Sequence, residues 1–146
     1  MKKVLGMGNA LTDILLQIEN DSVLEKLNLP KGSMQLVDEG KSKEITDLLS
    51  NITPKMATGG SASNTINGIT RLGAKAGFVG KVGTDFVGDF FKSDMINNGV
   101  TPHLQLSATP SGQCTVLVSA DGERTLCTFL GAACELGAVD FTEKMF

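Results

Sequence analysis

Between Thr58 and Asp85 the chain reads Thr58-Gly59-Gly60-Ser61-Ala62-Ser63-Asn64, then Thr65 through Leu72, then Gly73 and the run Gly77-Phe78-Val79-Gly80-Lys81-Val82-Gly83-Thr84-Asp85. Two adjacent glycines, without Cβ atoms, permit a tight backbone turn and the close approach of another molecule. Apolar residues follow at Ala62, Ile66, Ile69 and Leu72, spaced by four, three and three, which predicts one face of a helix. Gly73 is placed to end it. Ser61 or Ser63 is expected to cap the first turn, whose unpaired N–H groups favour oxygen-rich or anionic groups over Gly59 and Gly60. Asn64 adds a donor and an acceptor there. Two readings stand open at this point: a floor for a polar ligand, or a loop-to-helix junction of the kind any α/β protein contains, with Asn64 as a cap.

Upstream, Val4-Leu5-Gly6-Met7-Gly8 predicts a buried parallel strand running into a turn. Asn9 and Asp13 then fall near the strand's C-terminal end, where open α/β sheets bind ligands. Gly6-x-Gly8 lacks the third glycine of a dinucleotide fingerprint, because Leu11 holds its place and residues 11–18 continue as strand-type sequence. Residues 22–27 predict a short helix, and 32–37 a strand. Asp38-Glu39-Gly40 opens a helix with Ile45, Leu48, Leu49 and Ile52 on its apolar side, ending before Pro54. Residues 77–82 predict a second core strand and residues 100–106 a third extended piece. Between them, residues 85–98 predict an amphipathic helix that commits Phe86, Val87, Phe90, Met95 and Ile96 to the core, with Gly99 as its stop. Residues 112–130 predict a hairpin turning at Asp121-Gly122, and residues 139–146 the start of a capped helix.

The bulk properties exclude several classes. A chain of 146 residues that is 41% hydrophobic and 20% charged is suited to one domain with its own core. No run approaches the ~20 apolar residues of a membrane span, and no signal-peptide core follows Met1-Lys2-Lys3, so no membrane partner is expected and the expected location is cytoplasmic. A net charge of −3, with Arg71 and Arg124 the only arginines, leaves no basic face for nucleic acid. Cys114, Cys127, Cys134 and the single histidine, His103, match no metal-ligand spacing. The cysteines are expected as buried small hydrophobes, Cys114 being open to a place in a pocket wall, and His103 is expected in a loop.

Gly59, Gly60, Asn64, Gly73 and Gly83 together resemble the N-terminal signature of the PfkB, or ribokinase-like, family of carbohydrate and nucleoside kinases. Ile66 departs from it, standing where the family signature has a small residue. Gly8-Asn9-Ala10-Leu11-Thr12-Asp13 resembles the Gly-Asn-x-Leu-x-Asp form of the family's adenosine-kinase-like branch. The resemblance implies an α/β, ribokinase-like fold: a central, mostly parallel sheet flanked by helices, plus a small β-lid built from segments of about residues 12–19, 33–38 and 112–130. It implies that Asp13 accepts hydrogen bonds from two substrate hydroxyls, the competing reading being a surface turn residue. A carboxylate holds a vicinal diol bidentately, each charged bond contributing ~1.5–3 kcal/mol. It also implies that Asn9, Gly59, Gly60, Ser61 and Asn64 complete the acceptor site. Gln35 matches a lid residue facing the base, and Leu11, Cys114, Leu130 and Ala132 match the walls of a partly apolar slot beside the diol.

The family's C-terminal signature, Gly-Ala-Gly-Asp, whose Asp is the general base, does not occur; the pair Gly88-Asp89 lies inside the Phe-rich helix. All 146 residues are therefore expected to correspond to the N-terminal half of one kinase domain, truncated before its C-terminal half. The expectation is an ATP-dependent phosphotransferase acting on a hydroxyl of a nucleoside, or of a sugar, with no catalytic residue and no metal ligand in this chain. ATP and Mg are expected on the absent half, and the chain alone is expected to be inactive. The alternative is a non-catalytic nucleoside- or sugar-binding or assembly module. A homodimer through the β-lid is expected from its open strand edge.

Overall fold

A computed structural model describes residues 3–145. The elements run β1 (Val4–Met7), β2 (Leu11–Gln17), α1 (Ser22–Lys26), β3 (Met34–Leu36), α2 (Glu39–Leu48), β4 (Lys55–Gly59), α3 (Ser61–Arg71), β5 (Ala76–Gly83), α4 (Phe86–Asn97), β6 (Thr101–Ser107), β7 (Gly112–Val118) and β8 (Arg124–Phe129). Three 3-10 turns follow, at Gly131–Glu135, Ala138–Asp140 and Glu143–Met145. The chain divides into two units. One takes the residues up to Thr12, Ala57–Gly112 and those from Leu130 on; the other takes Asp13–Met56 and Gln113–Phe129. Among the described residues no helix is long and apolar enough to cross a membrane.

The first unit is built on a parallel sheet of order β1-β5-β6, with Val4 opposite Ala76 and Gly77 opposite Thr101. Central β5 is buried along nearly its whole length except at Lys81, which explains its otherwise apolar and glycine sequence without polar alternation. Ile66, Phe78, Val82, Phe91, Met95 and Val100 form its core with Ala10. The Phe78 and Phe91 rings pack 5.6 Å apart at a tilt of 51°. β1 is less buried than its sequence predicts: Val4 is 39% and Met7 54% exposed, and only one edge of the strand is paired among the described residues. His103 lies in β6 opposite Val79, not in a loop.

Two helix faces differ from the periodicity. Leu72, expected on the apolar stripe of α3, is 90% exposed, since the helix has ended at Arg71 and Gly73, at φ +89°, turns the chain away. In α4 the buried residues are Gly88, Phe91 and Met95, whereas Phe86 is 72% and Ile96 53% exposed. The cause is local. Asp85 caps the helix by accepting from the Gly88 N–H, and a Cβ on Gly88 would lie 2.5 Å from the Gly83 carbonyl oxygen. That glycine must face inward, and its face carries Phe91 with it. The segment from residue 139 forms 3-10 turns rather than the expected α-helix, with Val139 93% exposed; Phe146 lies outside the described residues.

In the second unit the sheet runs β3-β8-β7-β2. β7 and β8 form the expected antiparallel hairpin, and β3 runs parallel to β8. The turn is longer than a two-residue Asp-Gly connection: Val118 pairs with Arg124, and Ser119 and Glu123 bond across the loop while Gly122 takes φ +87°. Lys31 ties this loop down by reaching both Asp121 (2.7 Å) and Asp21 (2.8 Å). The core gathers Leu16, Ile18, Leu24, Leu27, Ile45 and Leu117 around Cys127. Leu48, assigned to the apolar side of α2, is 45% exposed.

One contact in the first unit accounts for the departure at Ile66. An added Cβ on Gly6 would fall 2.5 Å from Ile66 Cγ1, so the large side chain of α3 occupies the space that Gly6 leaves empty. Alanine in a strand interior is intrinsically favoured over glycine by ~0.5–1 kcal/mol, but overpacking a buried β-branched neighbour costs ~1–3 kcal/mol, so the clash dominates. Gly6→Ala is expected to lower the stability measured by urea unfolding. In an Ile66→Ala background the same change is expected to be neutral or stabilising; an equal penalty in both backgrounds would show that the contact does not set this packing.

Candidate functional site

The first unit holds Asn9, Leu11, Gly59, Gly60, Ser61, Asn64, Leu130 and Ala132, and the second holds Asp13, Gln35 and Cys114. Within the first, Gly60 is the N-cap of α3 and adopts φ +86°, ψ 146°, a conformation costly for any residue with a side chain. Its missing Cβ would lie 3.1 Å from the Asn9 carbonyl oxygen. The glycine thus serves the chain's own close approach, turn against helix start. The expected serine cap is absent, because both serines lie inside the helix rather than before it. Ser61 makes no capping bond, and the buried Ser63 hydroxyl donates back to the Gly59 carbonyl. The first backbone N–H satisfied in the helical pattern is that of Asn64, bonded to the Gly60 carbonyl at 3.0 Å, which leaves those of Ser61, Ala62 and Ser63 without a partner in the helix.

Leu11 and Leu130 meet across Gly112, whose Cβ would lie 2.7 Å from Leu11 Cδ2 and 2.5 Å from the Leu130 carbonyl oxygen. Ala132 is fully buried and donates its N–H to the Pro110 carbonyl at 2.8 Å. Ser61 lines a cavity of about 320 Å³ between β1 and α3. Asn64 is exposed and lines a different cavity, with Asn67 and Arg71 of the same helix.

At the far end of the signature, Gly83 has no room for a side chain: its Cβ would be 2.6 Å from the Thr109 carbonyl and 2.8 Å from Asp85 Oδ2. The Gly83 N–H donates to Ser111 Oγ at 2.8 Å, while the Asp85 carboxylate accepts from the Ser111 N–H (2.8 Å) and the Gly88 N–H (2.9 Å). Burial alone pushes the Asp85 carboxyl up; the donors from Ser111 and Gly88 outweigh it and hold the group below the usual carboxylate range. Nothing in the local sequence pointed to Ser111, which lies 26 residues from Asp85.

In the second unit Asp13 is half-buried on β2, and no described residue donates a hydrogen bond to its carboxylate. Burial pushes its pKa up. Cys114 is buried and accepts from Thr128 Oγ1 at 3.3 Å; burial, and beyond it the Asp13 charge, raises its thiol. Gln35 sits half-buried on β3 opposite Cys127. Cys134 departs from the expected burial: it is exposed, its thiol donating to the Gly131 carbonyl. Among the described residues no three His, Cys, Asp or Glu side chains are grouped to hold a metal ion.

A profile of the pfkB family carbohydrate kinases matches residues 35–144. The chain belongs to this family. Adenosine kinase from Dictyostelium discoideum is 30% identical, the match covering 98% of this chain and 43% of that protein. Among solved structures, a probable sugar kinase from Rhizobium etli CFN 42 is 36% identical with a TM-score of 0.80, covering 98% of this chain and 43% of its own. Anopheles gambiae adenosine kinase, solved in complex with P1,P4-di(adenosine-5) tetraphosphate, gives 26% identity and a TM-score of 0.87, covering 99% and 47%. The chain spans less than half the length of these pfkB relatives. Its fold is the α/β, ribokinase-like one expected from the glycine signature.

The Asp85 junction makes a pH-dependent contribution. Its folded pKa lies below the ~3.9 of a free aspartate, so the ionised form stabilises the fold above that value, and the contribution is lost as pH falls through the folded pKa. Asp85→Ala is expected to cost ~1–2 kcal/mol at pH 7 by urea unfolding, as loss of an N-cap does. The gap between variant and parent should narrow below about pH 4. A gap independent of pH would contradict this assignment.

Proposed function

We propose that this chain supplies the acceptor-binding part of an ATP-dependent phosphotransferase that phosphorylates a hydroxyl of a nucleoside. A sugar is the runner-up acceptor. The observation that carries the proposal is Asp13: a carboxylate half-withdrawn from water, with no donor among the described residues, is poorly solvated as it stands. A ligand offering two adjacent hydroxyls satisfies both its oxygens at once, and a charged acceptor makes each such bond stronger than a neutral one. Groups left unsatisfied by their own protein are a mark of binding sites.

Support for a nucleoside comes from the adenosine kinases among the relatives and from Leu11 and Cys114, whose apolar surfaces suit a flat base better than a polyol. Asn9, Gly59, Gly60, Ser61 and Asn64 are proposed as further acceptor-binding residues, and Gln35 as a contact to the base. Transfer of a phosphoryl group depends mostly on positioning and on charge stabilisation. The residues of this chain position the acceptor and orient its hydroxyl. ATP and Mg are proposed to bind mainly through the portion of the relatives' length that this chain does not span. The chain by itself is proposed to bind without catalysing transfer.

Asp13→Asn tests the proposal with two readouts. Because burial raises the folded pKa of Asp13, its charged form is disfavoured in the folded state above the free value of ~3.9, and removing the charge relieves that cost at pH 7. The thermal midpoint should stay the same or rise, while calorimetric affinity for adenosine falls by about tenfold or more. Unchanged affinity, or no adenosine binding by the parent chain, sinks the assignment. Lost affinity accompanied by a collapsed midpoint would mark Asp13 as structural.

A further inference from the structure

The strand side of the Gly59–Gly60 turn is tied to α4 through one carboxylate oxygen. Thr58, the residue before the pair, is buried and donates both its backbone N–H (3.1 Å) and its hydroxyl (2.9 Å) to Asp94 Oδ2. Asn67 Nδ2 of α3 donates to the same Thr58 Oγ1 at 3.0 Å. A hydroxyl has a single proton, and with Asn67 donating to its oxygen that proton is committed to Asp94. Thr58 thereby joins the end of β4 to both helices. Asp94 is itself placed by burial: Phe91, one turn before it, and Met95, next to it, are core residues, so the packing of α4 fixes its backbone.

On its helix side the pair is held by the first turn of α3. The Gly59 carbonyl accepts from the Ser63 hydroxyl, and the Gly60 carbonyl from the Asn64 N–H at 3.0 Å. Glycine samples more backbone conformations than any other residue, so two in succession keep one position only where both flanks are anchored. The two donors of Thr58 anchor the other flank. Both converge on Asp94 Oδ2, and removal of that oxygen releases them together.

We infer that Asp94 is a positioning residue for acceptor binding: it acts through Thr58, fixing the Gly59 and Gly60 backbone against which the acceptor lies. The inference rests on the acceptor role proposed above for the glycine pair. A backbone ordered in advance spends less of the binding free energy on ordering itself. Binding constellations tolerate displacements of only about 0.5 Å, so loosening one flank of the pair weakens the site. Asp94 supplies an oxygen at a fixed place, and the amide oxygen of an asparagine can occupy that place as well.

Nitrogen–proton correlation spectra of the 146-residue chain, with calorimetric titration of adenosine well below each variant's thermal midpoint, test the inference. Asp94→Ala is expected to shift the Gly59 and Gly60 amide signals and to weaken adenosine binding about tenfold. Asp94→Asn should hold the parent affinity within about twofold. Val100→Ala removes apolar contacts from the core that Phe91 and Met95 share, so it should lower the midpoint and leave the affinity unchanged. Should Asp94→Ala fail to fold, Thr58→Val, which deletes the hydroxyl and keeps the N–H, is read in its place, with an expected loss of about threefold. Glycine signals unmoved by the loss of Asp94 would overturn the inference whether or not adenosine binds. Unchanged affinity in Asp94→Ala, or an equal loss in Asp94→Asn or in Val100→Ala, would also overturn it and leave Asp94 a purely structural tie. A parent chain that binds no adenosine sinks the nucleoside reading, and with it the acceptor half of this inference, while the glycine signals still decide whether Asp94 sets the turn.

Discussion

The seating of Ile66 over the bare backbone of Gly6 fixes how closely α3 lies against β1, and the first unit is assembled outward from that approach. Two neighbouring contacts obey the same rule. A Cβ on Gly8 would fall 2.9 Å from the Ala62 Cβ, and one on Gly60 would fall 3.1 Å from the Asn9 carbonyl. Three glycines on two segments thus remove the atoms that would hold the helix off the strand. Close packing has little slack for extra volume, so the position of the α3 N-terminus, with its free N–H groups, follows from these contacts.

A second junction does the same for α4. Gly83, Asp85, Gly88 and Ser111 interlock so that one carboxylate accepts from two backbone N–H groups and one hydroxyl receives a third. A half-buried carboxylate tied this way orients the helix more firmly than apolar preference does, which is why Phe91 rather than Phe86 or Phe90 reaches Phe78. The glycines at both ends of the signature are therefore explained by packing inside the chain. Acceptor chemistry is proposed to be carried by Asp13, whose carboxylate no described residue answers with a hydrogen bond.

Elements with a strong period and clear stops were legible in the sequence. α2, with Asp38 as its cap, α3 closed by Gly73, α4 closed by Gly99 and the β7–β8 hairpin all lie where spacing and turn residues placed them. Which side of an element faces inward was less legible, because it depends on partners distant in sequence. Ile66 against Gly6 and Asp85 against Ser111 are examples, and neither leaves a mark within one window of residues. The serine cap failed because Ser61 and Ser63 are inside the helix that Gly60 begins. His103 was read as a loop residue because of Pro102, yet it stands in β6, an edge strand among the described residues, where a proline without an N–H is tolerated. For the site, the sequence named Asp13 by resemblance; only the structure shows that its carboxylate lacks a donor among the described residues.

The central claim is that Asp13 is an unfilled acceptor for the hydroxyls of a nucleoside. A crystal structure of the protein grown with adenosine tests it most directly. The account predicts both ribose hydroxyls within ~2.5–3.0 Å of the two Asp13 carboxylate oxygens, the range of a charge-assisted O–H···O bond. Adenosine bound elsewhere, with the Asp13 carboxylate paired to protein or left without any partner, would contradict it.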